Sequence, residues 1–326
     1  MAVNSLEYSS ALAQDTSIRP SPSIWGACPI ASLIEDPSMG SYFFDDFNMV
    51  AGNLATTNAI GNMGQWATWA DTSTVLTTDP QQDNGVVILY DGGNTTKNVT
   101  LGTTAGGVRM VSAASNYPLT PGKIFFECRV AVGSITTGKR DCFIGLVDNT
   151  TQFSTASASA VINTSNTLAT GPNLFGFHFR ATTNPTDVGV AYNVAGGTVQ
   201  YPTNLQTLST TVAGAALTAY AAGATGALAT GFIKLGFIYD PTAGNPAKII
   251  SSANAAQTAG NLAKPLVTFY VNGQAAPCFL SSANLQAATF PTGWMGPTIS
   301  YTSRAASANG GFYVDWIRVA QMAAAA

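Results

Sequence analysis

One histidine is the residue of this chain whose type most directly suggests catalytic chemistry. His178 is the only histidine, and a histidine acts as a general base only where a second group orients its ring. It lies in the alternating stretch LFGFHFR (174–180), so we expect an exposed strand position. The chain contains no Gly-x-Ser-x-Gly and no His-Glu-x-x-His sequence, the patterns of serine hydrolases and zinc proteases. We therefore predict no catalytic residue and no enzyme.

Two adjacent aspartates, Asp45 and Asp46, could bind a cation. Calcium needs several oxygen ligands that converge on one point. Neighbouring residues of a strand point to opposite faces, so only one of the two aspartates could join a given site. A hydrogen-bonding role at the end of a strand is therefore favoured over calcium binding, and we predict no metal site.

Four cysteines, Cys28, Cys128, Cys142 and Cys278, are widely spaced along the chain. No Cys-x-x-Cys pair exists, and a single histidine leaves too few ligands for a zinc site. Free thiols in a reducing cytoplasm are the expected state. The sequence predicts no cofactor.

The charge content is unusually low. Charged residues make up 9% of the chain, against about 25% in ordinary domains, and the formal net charge is -3. Because the Lys and Arg residues form no basic stripe, we expect no nucleic-acid partner. The uncharged run between Asp187 and Lys234 has few large apolar side chains, so we expect loops or small-residue strands and no membrane partner. The beginning of the chain lacks the pattern of a secretory signal.

The elements that must position any site are β-strands. Gly311–Gln321, GFYVDWIRVAQ, alternates with the two-residue period of a strand, and the best partner for this last strand is Ser41–Asn48. Asn272-Gly273 predicts a tight hairpin turn. Residues 122–132 and 141–147 suggest a second hairpin.

No segment shows a 3.6-residue period, so the predicted class is all-β, with two packed antiparallel sheets in a jelly-roll sandwich. In LFGFHFR we expect Phe175, Phe177 and Phe179 to face the core. We expect one sandwich domain over residues 41–321, followed by a short tail at 322–326.

Residues 1–40 are predicted to be an extended N-terminal arm, because four prolines interrupt any helix or long strand. The arm also carries apolar residues that need burial. Two interpretations remain open: the arm clasps a neighbouring subunit, or it folds back on its own domain. The candidate interface residues are Ile18, Ile24, Trp25, Ile30, Leu33 and Ile34.

Several aromatic and amide residues are candidates for sugar binding. Sugar sites use aromatic faces together with hydrogen-bonding amides and acids. The alternative for these residues is packing in the core. The candidate residues are Trp66, Trp69, Tyr192, Asn193 and Trp294.

Four motifs together, FFDDF, GKIFFECRV, FIKLGFIYD with VTFYVNGQ, and YVDWIRVAQ, resemble the concanavalin A-like lectin and glucanase superfamily. The last motif resembles the closing strand of glycoside hydrolase family sixteen. That family carries its catalytic carboxylates on one strand, as Glu, any residue, Asp, and Glu two or three places on. Glu127 is followed by Cys128 and Arg129, so the catalytic motif is absent. The resemblance implies the fold without the activity.

The arm, with its Pro-Ser-Pro, Ile-Trp-Gly-x-Cys-Pro and Asp-Pro sequences before FFDDF, resembles structural proteins of tailed phages. This resemblance implies a virion component, assembled in the bacterial cytoplasm. We expect a capsid decoration (cement) protein that stabilises the shell through its arm and sandwich. Its expected partners are the major capsid protein and copies of itself, as a trimer. The alternative is a lectin-like virion module for host surface glycans.

Overall fold

Alternating apolar residues along the chain build two antiparallel β-sheets, as seen in a computed structural model. The structure describes residues 18–47, 59–63, 65–70, 75–78, 85–90, 98–103, 107–110, 122–136, 138, 140–148, 161–162, 167–180, 185–208, 217–220, 231–240, 266–280, 282–285, 287–303 and 311–323. Residues 1–17 of the predicted arm and 324–326 of the predicted tail lie outside this set.

Sheet A has eight strands in the order β14-β13-β12-β8-β16-β5-β4, with β1 also paired to β16. All of its pairings are antiparallel. The strands are β1 (Gly40–Asp45), β4 (Val75–Thr78), β5 (Val87–Tyr90), β8 (Ile124–Val132), β12 (Ile233–Asp240), β13 (Leu266–Val271), β14 (Gln274–Leu280) and β16 (Phe312–Met322).

Sheet B also has eight strands, in the order β11-β10-β9-β15-β6-β3-β2, with β7 paired to β15. These pairings are antiparallel as well. The strands are β2 (Ala59–Met63), β3 (Trp66–Ala70), β6 (Asn98–Thr103), β7 (Val108–Arg109), β9 (Arg140–Asp148), β10 (Leu174–Phe179), β11 (Gly189–Asn193) and β15 (Trp294–Ser303).

One hydrophobic core lies between the two sheets and confirms the predicted all-β sandwich. At its centre Phe126 stacks on Phe237 with ring centroids 4.9 Å apart, both from sheet A. Phe175 of sheet B meets Phe237 edge-on at 4.9 Å. Phe175, Phe177 and Phe179 are all fully buried, as the alternation of LFGFHFR predicted.

The first and last strands of the sandwich pair with each other, as predicted. Gly40 lies opposite Met322 and Asp45 lies opposite Ile317. The Asn272-Gly273 hairpin is also confirmed, because it joins β13 to β14 with φ angles of 48° and 74°. Both residues take the positive φ that a tight hairpin turn requires.

The predicted hairpin between residues 122–132 and 141–147 is wrong. Strand β8 belongs to sheet A, between β12 and β16, whereas β9 belongs to sheet B, between β10 and β15. Each strand is buried along nearly its whole length, because each is central in its own sheet. Short spacing along the chain indicated adjacency, but the connection passes from one sheet to the other.

Residues 18–39 form short helices where an extended chain was predicted. Helix α1 spans Pro22–Trp25, helix α2 spans Ile30–Glu35, and a 3₁₀ turn spans Pro37–Met39. Proline is compatible with the first turn of a helix, where its missing N–H loses no bond. A third short helix, α3 (Ser282–Leu285), follows β14. Among the described residues, no helix has the length and apolar character needed to cross a membrane.

Candidate functional site

A single tryptophan stands out on the surface at the beginning of β15. The side chain of Trp294 is 57% exposed, and among the described residues it is the only tryptophan classed as exposed. Large aromatic side chains gain free energy when they are buried, so this exposure leaves a large apolar face open to a ligand.

Strand β7 holds Arg109 beside this tryptophan. Arg109 lies opposite Trp294 in the pairing of β7 with β15, and its guanidinium carbon is 5.9 Å from the centre of the indole ring. Arg109 Nε donates to the carbonyl oxygen of Thr292 at 3.1 Å. The side-chain amide of Gln321, from sheet A, accepts from the N–H of Arg109 at 3.0 Å and donates to its carbonyl at 2.9 Å.

A carboxylate and an amide lie beside Gly293, the residue before this tryptophan. Asp148 is opposite Met295, whose side chain lies in the core, so the Asp148–Asn173 pair supports the strand from the side of the sheet away from Trp294. Asn173 Nδ2 donates to Asp148 Oδ2 at 3.1 Å, and Asn173 Oδ1 accepts from the N–H of Ala195 at 3.2 Å. Gly293 leaves room for this pair, since a Cβ at that position would come within 2.6 Å of Asn173 Nδ2. We call Arg109, Asp148, Asn173, Gly293 and Trp294 the Trp294 platform.

The other predicted sugar-binding residues are buried. Trp66, Trp69, Tyr192 and Asn193 have between 0% and 8% of their surface exposed. Trp66 and Tyr192 belong to the main hydrophobic core. Of the five candidates, the structure therefore presents only Trp294 to solvent. Trp66 and Tyr192 pack in the main core, whereas Trp69 and Asn193 are buried outside it.

Asp45 has the hydrogen-bonding role at a strand end that the sequence favoured. Its carboxylate accepts from Trp66 Nε1 at 2.5 Å and from the N–H of Phe47 at 2.7 Å. These bonds fix the end of β1 against β3 and supply a buried indole N–H with its acceptor. In the described residues, no group of three potential metal ligands comes together.

His178 is buried, so the prediction of an exposed position is wrong. Only 2% of its surface is exposed, although it faces away from the core, because Tyr201 covers that face of sheet B. Tyr201 Oη lies 3.3 Å from His178 Nδ1, and Asp141 Oδ1 lies 3.7 Å from His178 Nε2. Tyr201 is remote from His178 in sequence, so strand periodicity gave no signal of this contact.

This buried cluster lacks an activated nucleophile. Burial raises the pKa of Tyr201 to about 12, so the phenol stays protonated near neutral pH. Cys142 lies on the core side of the same strand as Asp141, and burial raises the pKa of its thiol to about 12. The cluster can therefore order the loop that contains Tyr201 against the sheet, through a histidine held between a carboxylate and a phenol.

The arm residues that the structure describes lie on the outer face of sheet A. Ile24, Trp25 and Leu33 are buried, at 0%, 5% and 4% exposed, in a small cluster with Phe125 and Ala320. Ile30 is partly buried against the same cluster. Ile18 and Ile34 are 36% and 61% exposed. Of the six predicted interface residues, four therefore pack against their own domain and two are exposed to solvent.

Glu127 lies beneath this segment. Its carboxylate accepts hydrogen bonds from the N–H of Ser21 and from Trp25 Nε1. The nearby Asp315 is engaged by Arg129, at 2.5 Å. Burial raises the pKa of Glu127, whereas the bonds from Ser21 and Trp25 and the charge of Lys234 lower it.

One sequence pattern, Gly-x-x-x-x-Gly-Lys, occurs at residues 133–139 and has the spacing of a phosphate-binding loop. Arg140 stands where that loop requires Ser or Thr. Strand β9 follows the pattern, whereas a phosphate-binding loop opens a helix. The described residues of this stretch, 133–136 and 138, therefore lie between two strands and not in the setting of a phosphate-binding loop.

No family model matches the chain, and no curated protein matches it. Solved structures with a similar shape include peanut lectin (12% identity, TM-score 0.45, covering 87% of this chain and 100% of the lectin). The Emp47p carbohydrate recognition domain is similar at 11% identity and a TM-score of 0.42, covering 89% and 99%. A β-1,3-glucanase from Mycobacterium marinum is similar at 10% identity and a TM-score of 0.38, covering 85% and 97%. At such identities the likeness concerns the fold alone.

Proposed function

We propose that this protein binds carbohydrate through the Trp294 platform. The observation that carries the proposal is the 57% exposure of Trp294, with the guanidinium of Arg109 beside its ring. The flat apolar face of a sugar ring stacks on an aromatic side chain, and its hydroxyl groups need donors and acceptors around the rim. Trp294 supplies the stacking face, and the guanidinium of Arg109 lies at its rim.

The platform is also held in place before any ligand arrives. Arg109 is fixed by its bonds to Thr292 and Gln321, and Asn173 is fixed by Asp148 and Ala195. Groups that are already ordered lose little entropy on binding. The site therefore suits a weakly bound surface glycan of the kind that a lectin recognises.

A glycan array followed by calorimetry with the best-binding sugar tests this function. We expect Trp294→Ala to weaken binding about tenfold or more, because the stacking face is lost. Phe44→Ala is the matched control, since Phe44 is also an exposed aromatic, at 41%, but belongs to sheet A. An array without any hit, or equal affinity for Trp294→Ala and the parent protein, contradicts the proposal.

A second candidate function is decoration of a phage capsid in the virion, with the major capsid protein and sister copies, as a trimer, as partners. The observation that favours it is the distribution of exposed apolar residues. Among the described residues the large exposed hydrophobics are five, and four of them, Ile18, Ile34, Met39 and Phe44, lie in residues 18–44. These four residues share one stretch of the chain, and exposed apolar residues that group into a patch mark interaction sites.

The capsid role predicts that the exposed apolar side chains of this segment control attachment. We expect Ile34→Ser with Met39→Ser to lower capsid occupancy, because the apolar contact is lost while the buried residues Ile24 and Leu33 are unchanged. Occupancy is measured by sedimentation of purified capsids mixed with the protein. Trp294→Ala serves as the control. If the double variant decorates capsids as fully as the parent, this second function is wrong.

A further inference from the structure

One arginine is buried at the end of the main core on sheet B. Arg140 is the first residue of β9, and only 1% of its surface is exposed. Side chains two residues apart on a strand point to the same face of the sheet, so Arg140 shares its face with Cys142, which belongs to the main core. Asp141 points to the other face, where its Oδ1 lies 3.7 Å from His178 Nε2. The guanidinium of Arg140 and the carboxylate of Asp141 therefore lie on opposite faces of the sheet.

Hydrogen bonds satisfy only part of this guanidinium. Arg140 Nη2 donates to the carbonyl oxygen of Pro185 at 3.2 Å. Arg140 Nε and Nη1 are also buried, and in the described part of the chain neither of them has a hydrogen-bond partner. Buried polar groups are bonded in almost all cases, and an exception calls for an explanation such as a bound ion. Arg140 therefore has two buried donors for which the described residues supply no acceptor.

The core-side neighbours of Arg140 are neutral. Cys142 lies two residues along β9, and Tyr301 lies opposite Cys142 in the pairing of β9 with β15. Burial raises the pKa of the Cys142 thiol to about 12, and a phenol also keeps its proton near neutral pH. Burial lowers the pKa of Arg140 in spite of the charge of Asp141, which acts from the other face of the sheet. The positive charge of Arg140 thus has no bonded counter-ion among the described residues.

Arg129, another buried arginine, shows how this chain compensates such a charge elsewhere. Arg129 is 6% exposed, and its Nη1 donates to Asp315 Oδ2 at 2.5 Å. The acceptor of Arg140 is instead the carbonyl oxygen of Pro185, which accepts a hydrogen bond but carries no net charge. A buried charge is costly unless it is paired. The comparison of the two arginines indicates that a negatively charged group is needed at Arg140.

The unpaired atoms define the chemistry of the group that would bind. Nε and Nη1 are both N–H donors, so the ligand must accept hydrogen bonds. The guanidinium carries one positive charge, so a ligand with one negative charge neutralises it. A divalent phosphate or sulfate would bring a second, uncompensated charge into a buried site. Because only 1% of Arg140 is exposed, the ligand must also be small. A single halide ion meets all of these conditions.

We propose that Arg140 binds a chloride ion through Nε and Nη1. The site lies where the chain passes from β8 of sheet A to β9 of sheet B, so the ion fixes one end of the sandwich. The ion completes the hydrogen bonds of the guanidinium and neutralises its charge, and it therefore stabilises the folded chain. Ser303, opposite Arg140, ends β15, whereas Trp294 begins it. The inference is thus independent of glycan binding, because the two sites lie at opposite ends of this strand.

Bromide is the probe for this site, because it replaces chloride and its anomalous X-ray scattering identifies it. Crystals of the full-length parent protein are soaked in sodium bromide. We expect an anomalous peak in contact with Arg140 Nε and Nη1, on the core side of β9. If bromide is found at exposed residues alone, it is an adventitious ion only and the proposal is overturned. The absence of any peak at Arg140 overturns it as well.

Urea unfolding tests the same binding in solution, since urea adds no chloride. Sodium bromide replaces sodium methanesulfonate at constant ionic strength, so that only the identity of the anion changes. Above the dissociation constant, each tenfold rise in bromide concentration should raise the folded-to-unfolded ratio of the parent about tenfold. Arg140→Met, which removes both donors, should lose this dependence. Arg140→Gln, which keeps an amide but not the charge, replaces it if the methionine variant does not fold.

Arg318→Met is the matched control, because it removes the same charge from a partly buried arginine of sheet A. This variant should keep the bromide dependence of the parent. The proposal is overturned if the parent shows no bromide dependence, if the Arg140 variant keeps that dependence, or if Arg318→Met loses it as well.

Discussion

At the scale of single residues, Glu127 makes stability depend on pH. Burial is the main cause of its raised pKa, above the ordinary value of 4.5. Between pH 4.5 and the raised pKa, Glu127 stays protonated in the native protein, whereas it has lost its proton in the unfolded chain. The contribution of Glu127 to the free energy of unfolding is therefore fully present below about pH 4.5. It is lost as the pH rises through the raised pKa, at up to about 1.4 kcal/mol per pH unit.

We expect Glu127→Gln to remove this contribution, because an amide does not titrate. Urea unfolding of the parent and the variant, from below pH 4.5 to neutral pH, measures the difference in the free energy of unfolding. Glu35→Gln, which changes an exposed glutamate of helix α2, is the control and should keep the slope of the parent. Equal slopes for the parent and Glu127→Gln would show that Glu127 titrates alike in both states.

Single residues were also the hardest feature to predict from sequence. Alternation placed Phe177 on the core side and His178 on the other face of β10, and the structure agrees on both faces. The prediction that His178 is exposed was wrong, because a residue on the outer face of a sheet is buried wherever a remote segment covers it. Tyr201 covers His178, and Trp25 covers Glu127. Such contacts between residues far apart in sequence leave no periodic signal.

At the scale of elements, local chemistry predicted turns and strand ends well. Asn272 and Gly273 take the positive φ angles that their types favour, and β1 pairs with β16 as the aromatic patterns indicated. The predicted pairing of β8 with β9 was wrong. Both strands are apolar, and the sequence does not indicate that they belong to different sheets. The Trp294 platform combines β7, β9, β15 and the loop before β10. Sequence identified the tryptophan, but only the strand register brings Arg109 beside it.

At the scale of the whole molecule, the structure has two levels of burial. The main core contains residues of both sheets in one cluster. Residues 18–28, which we call the docking segment, contribute Ile24, Trp25 and Cys28 to a smaller cluster on the outer face of sheet A. Cys128 and Cys142 are fully buried in the main core, and Cys28 lies in the smaller cluster at 9% exposed. Regions with fewer buried contacts open at lower free energy than the core.

We therefore expect the cysteines to react with an aromatic disulfide reagent in two stages. At pH 8 the folded protein should react slowly, since burial raises the pKa of Cys28 to about 11 and that of Cys142 to about 12, and the thiolate is the reactive form. At urea concentrations below the unfolding midpoint, Cys28 should be labelled first, through release of the docking segment. Cys128 and Cys142 should be labelled only with global unfolding.

Peptide mapping of a Cys278→Ser background assigns the labelled sites without interference from the fourth cysteine. The dependence of labelling rate on urea should be shallower for Cys28 than for Cys128, because local opening exposes less surface than unfolding of the sandwich. Glu127→Ala should speed labelling of Cys28 more than that of Cys142, since the docking segment loses its central acceptor. If all three cysteines share one urea dependence, the segment and the sandwich open together, and the two-level description of the molecule is wrong.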